Sequence, residues 1–248
     1  MNNLFIKYEL MVHNSFYSDW NQIHAYILKF EQEGVVTRTF RRLDPERQQA
    51  IVEAILDEAV EKGPTSVNIK QVAERAGVAV GSLYQYFNNR EGLLTFATRL
   101  CSSLMTDAFQ LIEPYLRDMP LRDALRAYLM GGLEWGDTMT GLVQFVARAA
   151  YTGDPTLAKS VVQPIADAML EIIKNLLTLA QQRGELRPDL DLEAAARAVN
   201  ALIIAIGDSQ LLPYLNNYFR VTDESMPLER VIDSVVDLVM GGVAKQEP

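Results

Sequence analysis

The side chains with chemistry to offer lie close together, between residues 68 and 90. Asn68 and Lys70 stand at one end, Val80, Gly81, Ser82, Tyr84, Gln85 and Tyr86 in the middle, and Arg90 at the other. This is a set of hydrogen-bond donors and cations, not a proton-transfer set. A glutamine can pair with a base edge in a DNA groove, typically adenine, and a valine can meet a thymine methyl. Hydroxyls of Ser82, Tyr84 and Tyr86 and the charges of Lys70 and Arg90 suit phosphate oxygens. Gly81 lets backbone come close to a duplex. Catalytic and metal chemistry find little to work with. The histidines are His13 and His24 and the one cysteine is Cys101, so no Cys/His metal cluster can be assembled. No loop of alternating acidic ligands carries the glycine that a calcium site needs. Gly207-Asp208-Ser209 has the look of a nucleophile motif, but it sits in an apolar helix with no histidine after residue 24. The reading is a protein without catalytic residues, metal or cofactor.

Those donors need a scaffold, and residues 69–88 have the spacing of a helix-turn-helix. Two helices crossing steeply require a small residue at the crossing, and Ala73 supplies it. The turn requires a residue tolerant of left-handed angles, which is Gly77. Val72, Val78, Leu83 and Phe87 fit the buried anchors, and Asn68 fits a cap on the first helix. The pattern predicts short helices over Asn68–Ala76 and Ala79–Phe87. Before them a helix is capped by Asp44, has Pro45 in its first turn and stops at Gly63-Pro64. After them Asn89 caps a long helix that starts at Arg90.

The run TSVNIKQVAERAGVAVGSLYQYFNNREGLL resembles the DNA-binding region of the TetR family of bacterial regulators. The similarity rests on the Ala-Gly-Val turn, the Gly-Ser-Leu-Tyr start of the second helix, its Tyr-Phe end, and Arg90-Glu91 opening the next helix. It is close over residues 44–100 and a matter of pattern beyond. The resemblance implies an all-helical fold, a homodimer formed by the last two long helices, and a ligand pocket in the C-terminal part. Ligand binding there would loosen the hold on a palindromic operator. By position it implies DNA contacts from Asn68, Lys70, Val80, Gly81, Ser82, Tyr84, Gln85, Tyr86 and Arg90. Two departures stand out. Ala79 occupies a position where a capping Ser or Thr is common, and about 43 residues precede the usual start.

The rest of the chain reads at the helical period, with no strand-type alternation, so the fold class is all-α. We expect three parts: an extension over 1–43, a three-helix DNA-binding domain over 44–92, and a helical ligand-binding and dimerisation domain over 93–248. The segments 192–212 and 226–243 are apolar on more than one face, which suits a subunit interface. Met105, Tyr128, Trp135, Met139 and Phe145 are candidate ligand contacts, with ordinary core packing the simpler reading of each. Residues 15–33 form an amphipathic pattern, rich in aromatics, that suits a helix packed on its own dimer. Arg38–Arg42 reads as a basic arm along an adjacent groove or equally as a solvated linker. The net charge of −9 is unevenly spread: residues 38–100 carry +1 and residues 101–248 carry −8. No apolar run approaches the ~18 residues a membrane span needs, and the single cysteine fits the cytoplasm. The expected partners are an operator duplex, a small apolar or acyl-like effector, and a second copy. The rival readings are a helical small-molecule binder, or an adaptor, with a vestigial motif.

Overall fold

A computed structural model describes residues 20–63, 66–131 and 137–245, with the side chains of 137–140 outside the description. The described residues form helices and no strands. In order these are α1 (Trp20–Gln32), α2 (Arg38–Arg41), α3 (Pro45–Lys62), α4 (Ile69–Arg75), α5 (Val80–Phe87), α6 (Arg90–Leu116), α7 (Leu121–Gly131) and α8 (Asp137–Ala150). Then come α9 (Pro155–Leu157), a π-helical turn (Ala158–Val162), α10 (Gln163–Gln182), α11 (Leu192–Leu211), α12 (Pro213–Phe219) and α13 (Leu228–Val243). The helices start and stop where local chemistry dictates. Asp44 accepts the Arg47 N–H ahead of Pro45, Asn89 accepts the Gly92 N–H at 2.8 Å, and Gly63 ends α3 at φ 87°.

Packing divides the chain into Met1–Met105 with Asp137–Pro164, and Thr106–Gly136 with Ile165–Pro248. The division expected at 92/93 marks the end of the reading motif, whereas the packing units interleave along the chain. In the first unit α8 lies against α3. Gly141 is there because a Cβ would stand 2.3 Å from Val60 Cγ1. Arg148 donates to the Val60 carbonyl at 3.1 Å. Contacts at the C-terminal end of α3 thus tie residues 137–150 to the DNA-reading part of the chain.

The first unit also contains α1 and α2, and here two expectations change. Ile23, Ile27 and Phe30 of α1 are buried within this chain. Phe30 meets Phe96 edge-on at 5.9 Å, and Arg99 covers the other ring face while pairing with Glu33. That apolar face is spent inside the protomer, so it is not held back for a partner. Residues 15–19 of the expected helix lie outside the described residues. The Arg38–Arg42 stretch is not an extended segment. It is a helical turn capped by Thr37 and anchored by Phe40, which is fully buried among Phe87 at 5.0 Å, Tyr86 at 5.8 Å and Phe96 at 5.9 Å. Gln48, itself buried, donates to the carbonyls of Phe40 and Arg41 at 2.9 Å each and closes the turn.

In the second unit, α7, α10, α11 and α13 bury apolar faces that include Leu125, Ile172, Leu176, Ile203 and Val236. Arg122 and Arg126 of α7 pair with Asp237 and Asp233 of α13 along its rim. Helices α11 and α13 are the two that the sequence places at 192–212 and 226–243. Besides their buried faces they expose Leu202 and, at 67%, Leu238.

Candidate nucleic-acid interface

The interface is built on α3. Its apolar stripe, Ile51, Val52, Ile55 and Ala59, includes one buried carboxylate, Glu58. Glu58 Oε1 accepts the backbone N–H of Asn68 at 3.2 Å, and its other oxygen lies 3.4 Å from the Arg75 guanidinium. One side chain thereby holds both ends of α4. The Asn68 side chain turns to the helix it starts and accepts the Lys70 N–H at 3.0 Å. Arg75 is also held by Glu61. Hydrogen bonds from Lys62 and Arg75 draw the Glu61 carboxyl down to about 2, and the Glu61 bond raises the Arg75 guanidinium further. Arg75 is therefore committed to the scaffold.

The turn follows the expected physics. Gly77 adopts φ 64°, and the Val78 N–H returns to the Ala73 carbonyl at 2.9 Å. Ala73, Val72, Leu83 and Phe87 are buried and Val78 is half-buried. Ala79 has the extended backbone of an N-cap but contributes no side-chain hydrogen bond, so the first turn of α5 lacks the support a Ser or Thr would give.

Helix α5 presents Gly81, Tyr84 and Gln85 to solvent, with Val80 and Ser82 half-buried beside them. Open space surrounds the position a Gly81 Cβ would take, as close approach to a duplex requires. Lys70 and Arg90 are exposed at either side, and Arg90 also lies 3.4 Å from the Val67 carbonyl. Tyr86 departs from the group: its ring is buried against Phe40, so it belongs mainly to the support of α5 and not to its outer face. The spacing that marks Tyr84 and Gln85 as outward places Tyr86 on the Leu83–Phe87 side.

Three features escape sequence reasoning. Gly92 reads as an ordinary residue in a first helical turn, yet a Cβ there would stand 1.9 Å from the Phe87 carbonyl oxygen. It sets how closely α6 follows α5. Glu58 was findable, because positions 51, 55, 58 and 59 share a face. The third is the end of α5. The Thr37 N–H donates to the Tyr86 carbonyl at 2.9 Å, and its Oγ1 donates to the Gln85 carbonyl at 2.8 Å. A helix C-terminus leaves carbonyls without partners, and here a residue 48 positions earlier satisfies two.

The candidate ligand contacts are divided between the two units and residues outside the description. Met105 and Phe145 are buried in the first unit and Tyr128 in the second. Trp135 and the Met139 side chain lie outside the described residues. Cys101 is fully buried, and desolvation pushes its thiol up to about 12, which leaves it inert as a nucleophile. Ser209 is also buried, donating to the Ile206 carbonyl of its own helix at 2.7 Å.

This arrangement, a capped helix, a glycine turn and a second helix with a polar outer face over aromatic anchors, defines a helix-turn-helix DNA-binding regulator. Residues 51–95 match the model of the bacterial regulatory proteins, tetR family. The chain is 28% identical over 163 residues to the HTH-type transcriptional regulator BetI of Serratia proteamaculans, spanning 65% of this chain and 79% of that one. It is 26% identical over 196 residues to the HTH-type transcriptional repressor KstR of Rhodococcus jostii, spanning 76% and 82%. Among solved structures, a TetR family transcriptional regulator from Chloroflexus aurantiacus superposes with a TM-score of 0.55 at 26% identity, covering 85% of this chain and 99% of that one. The chain is thus similar to transcriptional regulators of the tetR family, with the family model matched over residues 51–95. No helix among the described residues is long and apolar enough to cross a membrane.

Proposed function

We propose that the protein represses transcription as a cytoplasmic homodimer on a palindromic operator and releases it when a small apolar or acyl-like effector binds. The observation that carries the reading is the outer face of α5. Gln85 and Tyr84 project from a helix whose other side is locked by Leu83, Tyr86 and Phe87. Asn68, Lys70, Val80, Gly81, Ser82 and Arg90 complete the surface, with the Tyr86 hydroxyl at its edge. In a dimer the two copies of α5 would enter successive major grooves about 34–36 Å apart. The exposed Leu202 and Leu238 on α11 and α13 support pairing through those helices. The apolar interior of the second unit supports an apolar effector, with Tyr128 as a polar group at hand.

Selection of bound duplexes from random DNA tests the reading. The expected result is one palindromic site bound far above background. Equal, salt-governed binding to every duplex would overturn it. On the selected site, Gln85→Ala should lose about 1–3 kcal/mol of discrimination at one base pair per half-site. Arg90→Ala should weaken all sequences alike.

A further inference from the structure

The cations of the first unit fall into two classes. Arg41 pairs with Glu31, Arg75 with Glu58 and Glu61, and Arg99 with Glu33. Arg38 and Arg42, at the two ends of α2, are exposed and form no ion pair among the described residues. Glu31 and Glu33, in and just after the last turn of α1, are engaged by Arg41 and Arg99. Arg38 directly follows Thr37, and Thr37 is bonded to the carbonyls of Gln85 and Tyr86. Consecutive Cα atoms are about 3.8 Å apart, so Arg38 starts within one side-chain length of the backbone of the main base-reading residue.

We propose that Arg38 and Arg42 form a phosphate clamp that extends the DNA interface beyond the helix-turn-helix, a role that rests on the DNA-reading assignment of α5. A major groove is about 12 Å wide. An element fixed to a helix that lies in that groove can reach the wall beside it, and the wall is phosphate. Two unpaired guanidiniums there displace condensed counterions and add sequence-independent affinity. Phe40 and Thr37 hold α2 in place beforehand, so ordering a flexible segment costs nothing on binding. In a chain of net charge −9, such a local clamp offsets the repulsion of the remainder. DNA is the occupant these features select: planar, permanently charged forks match phosphate oxygens.

The test measures operator and random-duplex binding against salt for the full-length protein, Arg38→Ala/Arg42→Ala, and Arg38→Lys/Arg42→Lys. Lys245→Ala serves as a control for loss of a distant exposed charge. The alanine pair should lose on the order of tenfold affinity for both duplexes. Its log–log salt slope should flatten by about one for each phosphate contact removed, and the preferred sequence should not change. The lysine pair should recover most of the loss, and Lys245→Ala should bind as wild type. Phosphate ethylation interference should show protected positions at the edge of each half-site disappearing with the alanine pair. An unchanged slope and footprint, with selective wild-type binding intact, would overturn the clamp alone. A wild-type protein that selects no sequence would instead overturn the assignment of α5.

Discussion

At the scale of single residues, the positions that matter most are the ones with no room to change. Gly92 is one. With a Cβ 1.9 Å from the Phe87 carbonyl oxygen, Gly92→Ala forces α6 away from the end of α5. Overpacking of this kind costs about 1–3 kcal/mol. We expect a lower thermal midpoint and a larger proportional loss of operator affinity, because Asn89 and Arg90 move with the helix. A midpoint within a degree of wild type would show that the junction has slack. The sequence discloses Gly77 because a turn between two helices announces its own need for positive φ. It conceals Gly92, whose need comes from a carbonyl five residues away. Tyr86 is a different case: its type suits a phosphate contact, but its place three residues after Leu83 sets the ring inward, against Phe40.

At the scale of elements, boundaries were legible wherever a capping side chain marks them. Asp44, Asn68 and Asn89 each accept the N–H bonds expected of them. The uncapped start of α5 was legible too, since alanine has nothing to offer. Ala79→Ser supplies an acceptor at a backbone already extended at φ −71°, ψ 144°. It should stabilise the protein by about 1 kcal/mol, read as a rise in the denaturant midpoint. No rise would mean that water already serves the free N–H groups of α5. The nature of α2 was not legible. The segment 35–43 is short and reads as basic, and Phe40 decides the outcome through aromatic partners 46 to 56 positions away. Local pattern carries no information about contacts at that range.

For the whole molecule, helical class follows from periodicity alone, but the grouping of helices does not. Residues 137–164 pack with the first unit because Gly141 and Arg148 match Val60, a fit that no pattern along the chain reveals. The apolar faces of α11 and α13 were legible as excess hydrophobicity, and Leu238 is the clearest instance. It is 67% exposed in the protomer, so Leu238→Glu should leave the protomer folded. In the proposed dimer, two glutamates brought into the pairing face should instead shift the species seen by sedimentation from dimer to monomer. Operator affinity should fall with it, since half-sites would then be bound independently. A mutant that stays dimeric would move the interface elsewhere.

The hydrogen bonds from Thr37 to the carbonyls of Gln85 and Tyr86 also bear on portability. Exchanging operator specificity between relatives by transplanting residues 80–87 treats the reading helix as a cartridge. In this chain the cartridge is larger. Moved alone, α5 leaves behind Thr37, Phe40 and the space at Gly92 that fix its end. The transferable reading head therefore extends at least from Thr37 to Phe96, which closes the cluster around Phe40 and Phe87.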